Sequence, residues 1–357
     1  MDVGGAGSVR NTRARGARSI AAVSLCALMV ALPGVAGADP LITAAGDIAT
    51  EEPSADQIAT ARLVRRIDPH VALTLGDNQY PDGQLKDYRD SYAPTWGTFK
   101  SITRPVPGNH EYHVPGAKGY FHYFGRRAHP KHGGYYSFDL GRWHLLALNS
   151  GTGSISTRQL RWVCRDLRRD GSRCEIAYWH HPRWSSGALH GSDKTMAPLW
   201  RALFRAGVDV VLNGHEHNYE RFAPLAPSGR VAPNKGIRQF VVGTGGAGLY
   251  PFGRAREGSR RRINHVAGVI RLRLHNKGYR WAFVGTGGGI LDDGNGRCHA
   301  AATAITRLAG GESTVPHSAG PGDPFAGPDG GATRARAAVT LSALRRAVAI
   351  VNARSGA

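Results

Sequence analysis

Four short apolar runs in this 357-residue chain, at residues 41–45, 71–75, 176–179 and 208–212, each break into a polar residue: Gly46-Asp47, Gly76-Asp77, His180 and Gly214-His215. Unbroken apolar runs of this length suit strands buried on both faces, as in a parallel sheet. Asp77 follows Asp47 by 30 residues and Asn109 follows Asp77 by 32, about the length of one βαβ step. Helical spacing fills intervals at 55–66, 157–169 and 196–206, and residues 239–242, 267–274 and 279–284 read as further strands, the last two spaced as a hairpin. The expected class is α/β. In open sheets of that class ligands bind beyond the carboxyl ends of the strands, where all four runs aim their polar residue.

Five strings gather at that edge: Gly46-Asp47, Gly76-Asp77-Asn78-Gln79-Tyr80, Gly108-Asn109-His110-Glu111, His180-His181-Pro182 and Gly214-His215-Glu216-His217. Their carboxylate, amide and imidazole groups are enough to hold two metal ions side by side. Two cations roughly 3.5–4 Å apart neutralise both the attacking and the leaving oxygen of a phosphoester. A mixed oxygen and nitrogen set suits Zn, Mn and Fe better than Mg or Ca. Each string alone has an ordinary explanation. A Gly-Asp pair is usually a turn, a lone His on a strand is usually a satisfied core residue, and Asn109-His110 after glycine suits a left-handed turn. Their conjunction, most of them closing apolar runs, has no shared structural cause.

With these residues in view, the chain resembles the calcineurin-like metallophosphoesterases, and among them the purple acid phosphatase branch, over residues 42–299. The resemblance implies two stacked mixed β-sheets flanked by helices, a four-layer sandwich. It also implies that Asp47 and His217 bind a first metal, that Asp77 bridges, and that Asn109, His180 and His215 hold a second. Tyr80, three places after the bridging aspartate, matches the branch's tyrosinate ligand to ferric iron, leaving Zn, Mn or Fe for the other position. His110 matches the histidine that stabilises the transition state or protonates the leaving oxygen, with Glu111 orienting it or facing solvent. His181 and His190 are candidates for substrate contact, and packing is the alternative for His181. The implied reaction is in-line attack on a phosphomonoester by a metal-bound hydroxide, without a phosphoenzyme.

The amino terminus carries Arg10, Arg13, Arg15 and Arg18 before an apolar run at 20–32, then Ala36-Gly37-Ala38. This pattern predicts a secretory signal over residues 1–38, a catalytic domain over 39–299 and an extracellular protein; an uncleaved signal anchor at the cell surface is the alternative. The run is too short to span a bilayer. Export is compatible with disulfides. Cys164 lies in the 157–169 helix and Cys174 opens the next strand, so a Cys164–Cys174 bridge is expected, although pairing through Cys298 stays open. Beyond His299, Gly, Pro and Ala dominate, which predicts a largely disordered tail over 300–357 with a C-terminal helix.

The net charge of +20 is compatible with attracting phosphorylated small molecules. Arginines crowd at 165, 168, 169 and 173 and again at 254, 256 and 260–262, but no nucleic-acid-binding signature accompanies them. A solvated basic surface is the plainer account. Two other functions fit the same strings: a phosphodiesterase or nuclease using the same metals, and a non-catalytic metal- or phosphate-binding protein, for which His110 would have no use. Nothing in the sequence addresses oligomeric state.

Overall fold

The computed structural model describes residues 39–171 and 174–299. The expected signal, tail and Arg173 lie outside them. The described residues form two stacked mixed sheets flanked by helices, as expected. The first has the order β13-β12-β11-β1-β2-β3, built from β1 (Leu41–Ala45), β2 (Val71–Leu75), β3 (Thr103–Val106), β11 (Gly268–His275), β12 (Gly278–Gly285) and β13 (Ile290–Arg297). The second has the order β10-β8-β9-β7-β6-β5-β4, from β4 (Tyr136–Leu140), β5 (Trp143–Ala147), β6 (Cys174–Tyr178), β7 (Val210–Asn213), β8 (Tyr219–Phe222), β9 (Arg238–Val242) and β10 (Ser259–Ile263). Strands β1, β2 and β3 are parallel, and so are β5, β6, β7 and β9. Their carboxyl ends therefore form one edge in each sheet.

Alternation divides the second sheet's side chains between two layers. Leu145, Ile176, Tyr178, Val210 and Leu212 join the core between the sheets. Leu146, Ala177, Trp179 and Val211 face the helices α4 (Thr157–Arg169) and α5 (Ala197–Ala206). Helix α4 begins where the Ser156 side chain accepts from the Gln159 N–H, and α5 ends at Gly207 with φ +89°, a left-handed cap that glycine adopts without a Cβ clash. Arg165, Arg168 and Arg169 line the exposed face of α4, and Arg260, Arg261 and Arg262 project from β10, an edge strand. Charge there discourages edge-to-edge pairing, which matches the plainer account of both patches.

Strand β13 carries Asp, Asn and two glycines, a composition that reads as loop. Its pairing with β12 places Gly294 opposite Trp281 and Gly296 opposite Tyr279. A Cβ on these glycines would meet those rings at 2.5 and 2.4 Å, so the aromatic side chains of β12 lie across a strand that must lack side chains. Between the sheets, Arg221 of β8 donates twice to Asp292 of β13, at 2.7 and 2.9 Å.

The disulfide expectation is corrected. Cys174 pairs with Cys298, with Cα atoms 5.4 Å apart, and Cys164 is free. Cys164 sits inside α4, whereas Cys174 starts β6 and Cys298 directly follows β13, its N–H donating to the Lys277 carbonyl. The bridge spans 124 residues. We expect Cys298→Ser to lose about 2–5 kcal/mol and Cys164→Ser to stay within about 0.5 kcal/mol, read from urea midpoints of the two variants.

His144 of β5 ties α4 to the sheet, its Nδ1 donating to Asp139 at 2.6 Å and its Nε2 to Asp166 at 2.9 Å. Burial opposes its charge, but bonds to Asp166 and Asp139, with Asp170 nearby, carry its pKa up to about 9. A raised folded pKa stabilises fully below the unfolded value, about 6.5, and that contribution is lost as pH rises through about 9. The urea-midpoint gap between wild type and His144→Asn should be widest near pH 6 and narrow above pH 9.

Candidate metal centre

Asp47 and Asp77 follow the ends of β1 and β2 in the left-handed region, with φ of +59° and +46°, and His215 does so after β7 with φ +73°. Non-glycine residues enter that region at a cost, and three of them surround one point. The turns aim both carboxylates across the gap between the two sheets. Gly108 makes room for them, since a Cβ there would lie 2.1 Å from Asp77 Oδ1.

The Tyr80 hydroxyl is the hub. It lies 3.0 Å from Asp47 Oδ1, 3.0 Å from Asp77 Oδ2 and 2.9 Å from His217 Nε2. Burial first, then the carboxylates of Asp47 and Asp77, hold its pKa well above that of an ordinary phenol. On the other side of Asp77, His180 Nε2 lies 3.2 Å from Oδ2 and 3.2 Å from His215 Nδ1. Asp77, His180 and His215 offer ligand atoms that all lie within 4.8 Å of one another. Asn109 Oδ1 is buried without a hydrogen-bond partner. The structure thus gathers Asp47, Asp77, Tyr80, His180, His215 and His217, and Asn109 precedes the His110 whose N–H donates to Asp77 Oδ1 at 2.9 Å.

Backbone carbonyls set the imidazoles. A carbonyl only accepts, so His180 Nδ1 donates to Leu75 O at 2.8 Å and His217 Nδ1 donates to Gly248 O at 2.6 Å. Each Nε2 is then the ring nitrogen that faces the carboxylates, the atom a metal-binding histidine offers once it gives up any proton there. Among the described residues no Lys or Arg pairs with Asp47 or Asp77. Burial opposes the charge on Asp77, but His180 and then His110 pull its pKa well below the usual value. Burial likewise opposes charge on His180, whose pKa Asp77 and then Asp47 raise to about 9. Asp77 shares a proton with His180 where a cation would sit, and Asn109, next to the His110 whose N–H holds Asp77, leaves a buried amide oxygen unpaired. This donor set fits metal ions.

His110 Nδ1 donates to Pro81 O at 2.5 Å, which leaves Nε2 toward the centre, 3.8 Å from Asp77 Oδ2. Glu111 neither faces solvent nor orients His110. It is fully buried, accepting from the Asn78 and Gln79 N–H groups at 2.8 and 3.2 Å, from Gly108 N–H at 2.6 Å and from Tyr88 OH at 2.9 Å. Burial and then Asp77 raise its pKa to about 7 against those donors. The carboxylate clips the Asp77 loop to the Asn109 loop. His181 is buried with Nδ1 2.9 Å from Ser150 Oγ, and burial, then His180, lower its pKa to about 3. Its ring lies 4.4 Å from His215, and the exposed His190 stacks on His215 at 4.2 Å.

Two residues carried no role in the sequence reading. Tyr250 stacks on His217 with ring centres 3.8 Å apart and planes 9° apart. Glu216, fully buried and next in sequence to both His215 and His217, accepts from the His190 N–H at 2.8 Å and from Gly191 N–H, and so anchors the loop bearing His190. The 243–246 loop packs under Asp47: Gly245 N–H donates to Gly46 O and Ala247 N–H to Asp47 O, both at 2.9 Å.

The family model for calcineurin-like phosphoesterases matches residues 41–219. The chain belongs to that family. Purple acid phosphatase 21 of Arabidopsis thaliana is 30% identical over 213 residues, covering 53% of this chain and 46% of that protein. Human acid phosphatase type 7 is 26% identical over 224 residues, covering 52% and 48%. The chain spans about half the length of the curated relatives it matches. In fold it is similar to purple acid phosphatase PPD1 of yellow lupin (Lupinus luteus), with TM-score 0.56 and 18% identity over 75% of this chain and 55% of that one. It is equally similar to GAP50 of Plasmodium, described as the anchor in the inner membrane complex, with TM-score 0.57 and 15% identity over 82% and 100%. The fold thus hosts proteins described in different terms, and function must be argued from the site. Among the described residues no helix is long and apolar enough to cross a membrane.

Removing the Glu216 carboxylate leaves buried N–H groups unpaired, at about 1–3 kcal/mol each. Glu216→Ala should therefore lower the thermal midpoint and speed hydrogen exchange at the His190 and Gly191 amides, whereas Glu216→Gln, which keeps one acceptor, should retain most of that protection.

Proposed function

We propose that this protein is an exported, two-metal phosphatase that hydrolyses phosphomonoesters. The observation that carries the reading is the Tyr80 hydroxyl within 3.0 Å of Asp47, Asp77 and His217, beside the unpartnered Asn109 Oδ1. Asp47, Tyr80 and His217 would hold one ion, Asn109, His180 and His215 the other, and Asp77 would bridge. Phenol and carboxylate oxygens are hard donors suited to ferric iron at the first position; two imidazoles and an amide oxygen suit Zn, Mn or Fe at the second. Bound there, the ions supply charge neutralisation at phosphorus and acidify a water molecule.

The chain's own residues supply the rest. His110, locked through Nδ1 to Pro81 O, presents Nε2 to the centre as the proton donor for the departing alkoxide. His181, neutral and tied to Ser150, packs behind His215 and fixes its ring. His190 and Tyr250 stack on opposite ligand histidines, His215 and His217, and bracket the place where a substrate's organic group would lie. Export is supported by the basic and apolar amino-terminal sequence and by the Cys174–Cys298 bridge, a bond that persists in oxidising compartments.

The test is metal content, turnover and a visible spectrum on the purified protein. We expect two metals per chain and a tyrosinate-to-iron absorption that Tyr80→Phe abolishes. Asp77→Asn should lose metal and turnover together; His110→Ala should keep the metals while kcat falls about 10²–10⁴-fold. Aryl phosphate monoesters should outpace the matching diesters, and the reverse order would move the assignment to a phosphodiesterase. Full activity in Asp77→Asn would sink the reading.

A further inference from the structure

Away from the metal centre, a cavity of about 520 Å³ opens where β3, the last strand of one sheet, meets β4, the last strand of the other. Its polar rim is Arg104, Arg126, Arg127 and His129, and its wall is aromatic, from Phe124, Tyr136 and Phe138. No carboxylate lines it. None of the three arginines joins an ion pair among the described residues, and Lys100, close to Arg127, joins none either. Arg104 and Arg127 are half-buried, so water screens their repulsion only in part.

The crowding bears on two neighbouring groups. Burial, then the charge of Arg127, lowers the Lys100 ammonium, which rests 4.0 Å above the Tyr123 ring. Burial, then His132 and Arg104, lowers His129, whose neutral ring stacks on Tyr136 at 4.1 Å. The Arg104 guanidinium lies over Phe138 at 5.4 Å. Tyr136 OH donates to Pro105 O at 2.9 Å and Tyr178 OH to Arg104 O at 3.2 Å, so parting β3 from the second sheet to spread the charge would break both bonds.

Guanidinium groups bind phosphoryl oxygens in pairs and stack on rings, and the cavity is the size of a small-ligand site. We infer that this cavity is a second anion site, which takes a small phosphorylated or phosphonylated molecule bearing an aromatic ring. The phosphoryl oxygens sit among Arg104, Arg126 and Arg127, and the ring lies along the aromatic wall. Binding here needs no metal and is separate from the hydrolytic reading.

Phenylphosphonate is a suitable probe because its carbon–phosphorus bond survives a phosphoesterase. Calorimetric titration of the full-length, metal-loaded protein should show two sites per chain. Arg104→Gln/Arg127→Gln should weaken one of them at least about tenfold and leave turnover of aryl phosphates unchanged. Asp77→Asn should keep that site, and its affinity should fall with added salt. A single site that Asp77→Asn abolishes, or unaltered stoichiometry and affinity in the double arginine variant, overturns the inference. If Asp77→Asn proves unfolded, the arginine variant against wild type decides alone.

Discussion

Two buried carboxylates face one phenol at the junction of the sheets, among the described residues no Lys or Arg neutralises them, and the surrounding structure answers to that charge. In a low-dielectric interior, unpaired anions this close are costly. A proton shared with His180 offsets the cost, and so does the Tyr80 hydroxyl, donating to one carboxylate at a time. That arrangement is poised for cations, because each bond in it uses an atom a metal could take instead.

The fold supplies the geometry through strand ends. Parallel ladders in both sheets put Asp47, Asp77, Asn109, His180 and His215 beyond carboxyl ends that face one another. Left-handed backbone at Asp47, Asp77 and His215 turns the side chains inward. Strain at three neighbouring positions persists only where the environment over-determines it. Here His215 N–H donates to Asp47 Oδ2 at 2.8 Å and His110 N–H to Asp77 Oδ1 at 2.9 Å. The same carboxylates that would bind metal hold the loops presenting the other donors.

This division explains what the sequence reveals. The helices at 55–66 and 157–169 and the strands at 41–45 and 71–75 agree with Ala55–Ile67, Thr157–Arg169, Leu41–Ala45 and Val71–Leu75, because apolar period and glycine breaks are local signals. The chemically distinctive side chains are legible for a similar reason: residue type states what they can do, and strand ends state where they go. Strand β13 is illegible, since Gly294 and Gly296 are there for the rings of Trp281 and Tyr279 on the neighbouring strand. The Cys174–Cys298 bridge is hidden likewise, for it depends on which strand end meets which, and nearness in sequence favoured Cys164. The carbonyls of Leu75, Pro81 and Gly248 that orient three imidazoles leave no trace in residue type.

Glu111 and Glu216 extend the point. Each sits inside a histidine-bearing string, where a carboxylate invites a chemical role, yet each spends its oxygens on backbone N–H groups of a neighbouring loop. Burial and Asp77 push Glu111 to about 7, so in the metal-free protein its charge competes with that of the site it braces. Cations at the centre would relieve this repulsion and favour the ionised, four-bonded clip. Three of those four bonds tie the loop of Asp77 or the helix of Tyr88 to the loop of Asn109 and His110, and the fourth, from Gly108 N–H, closes that loop on itself.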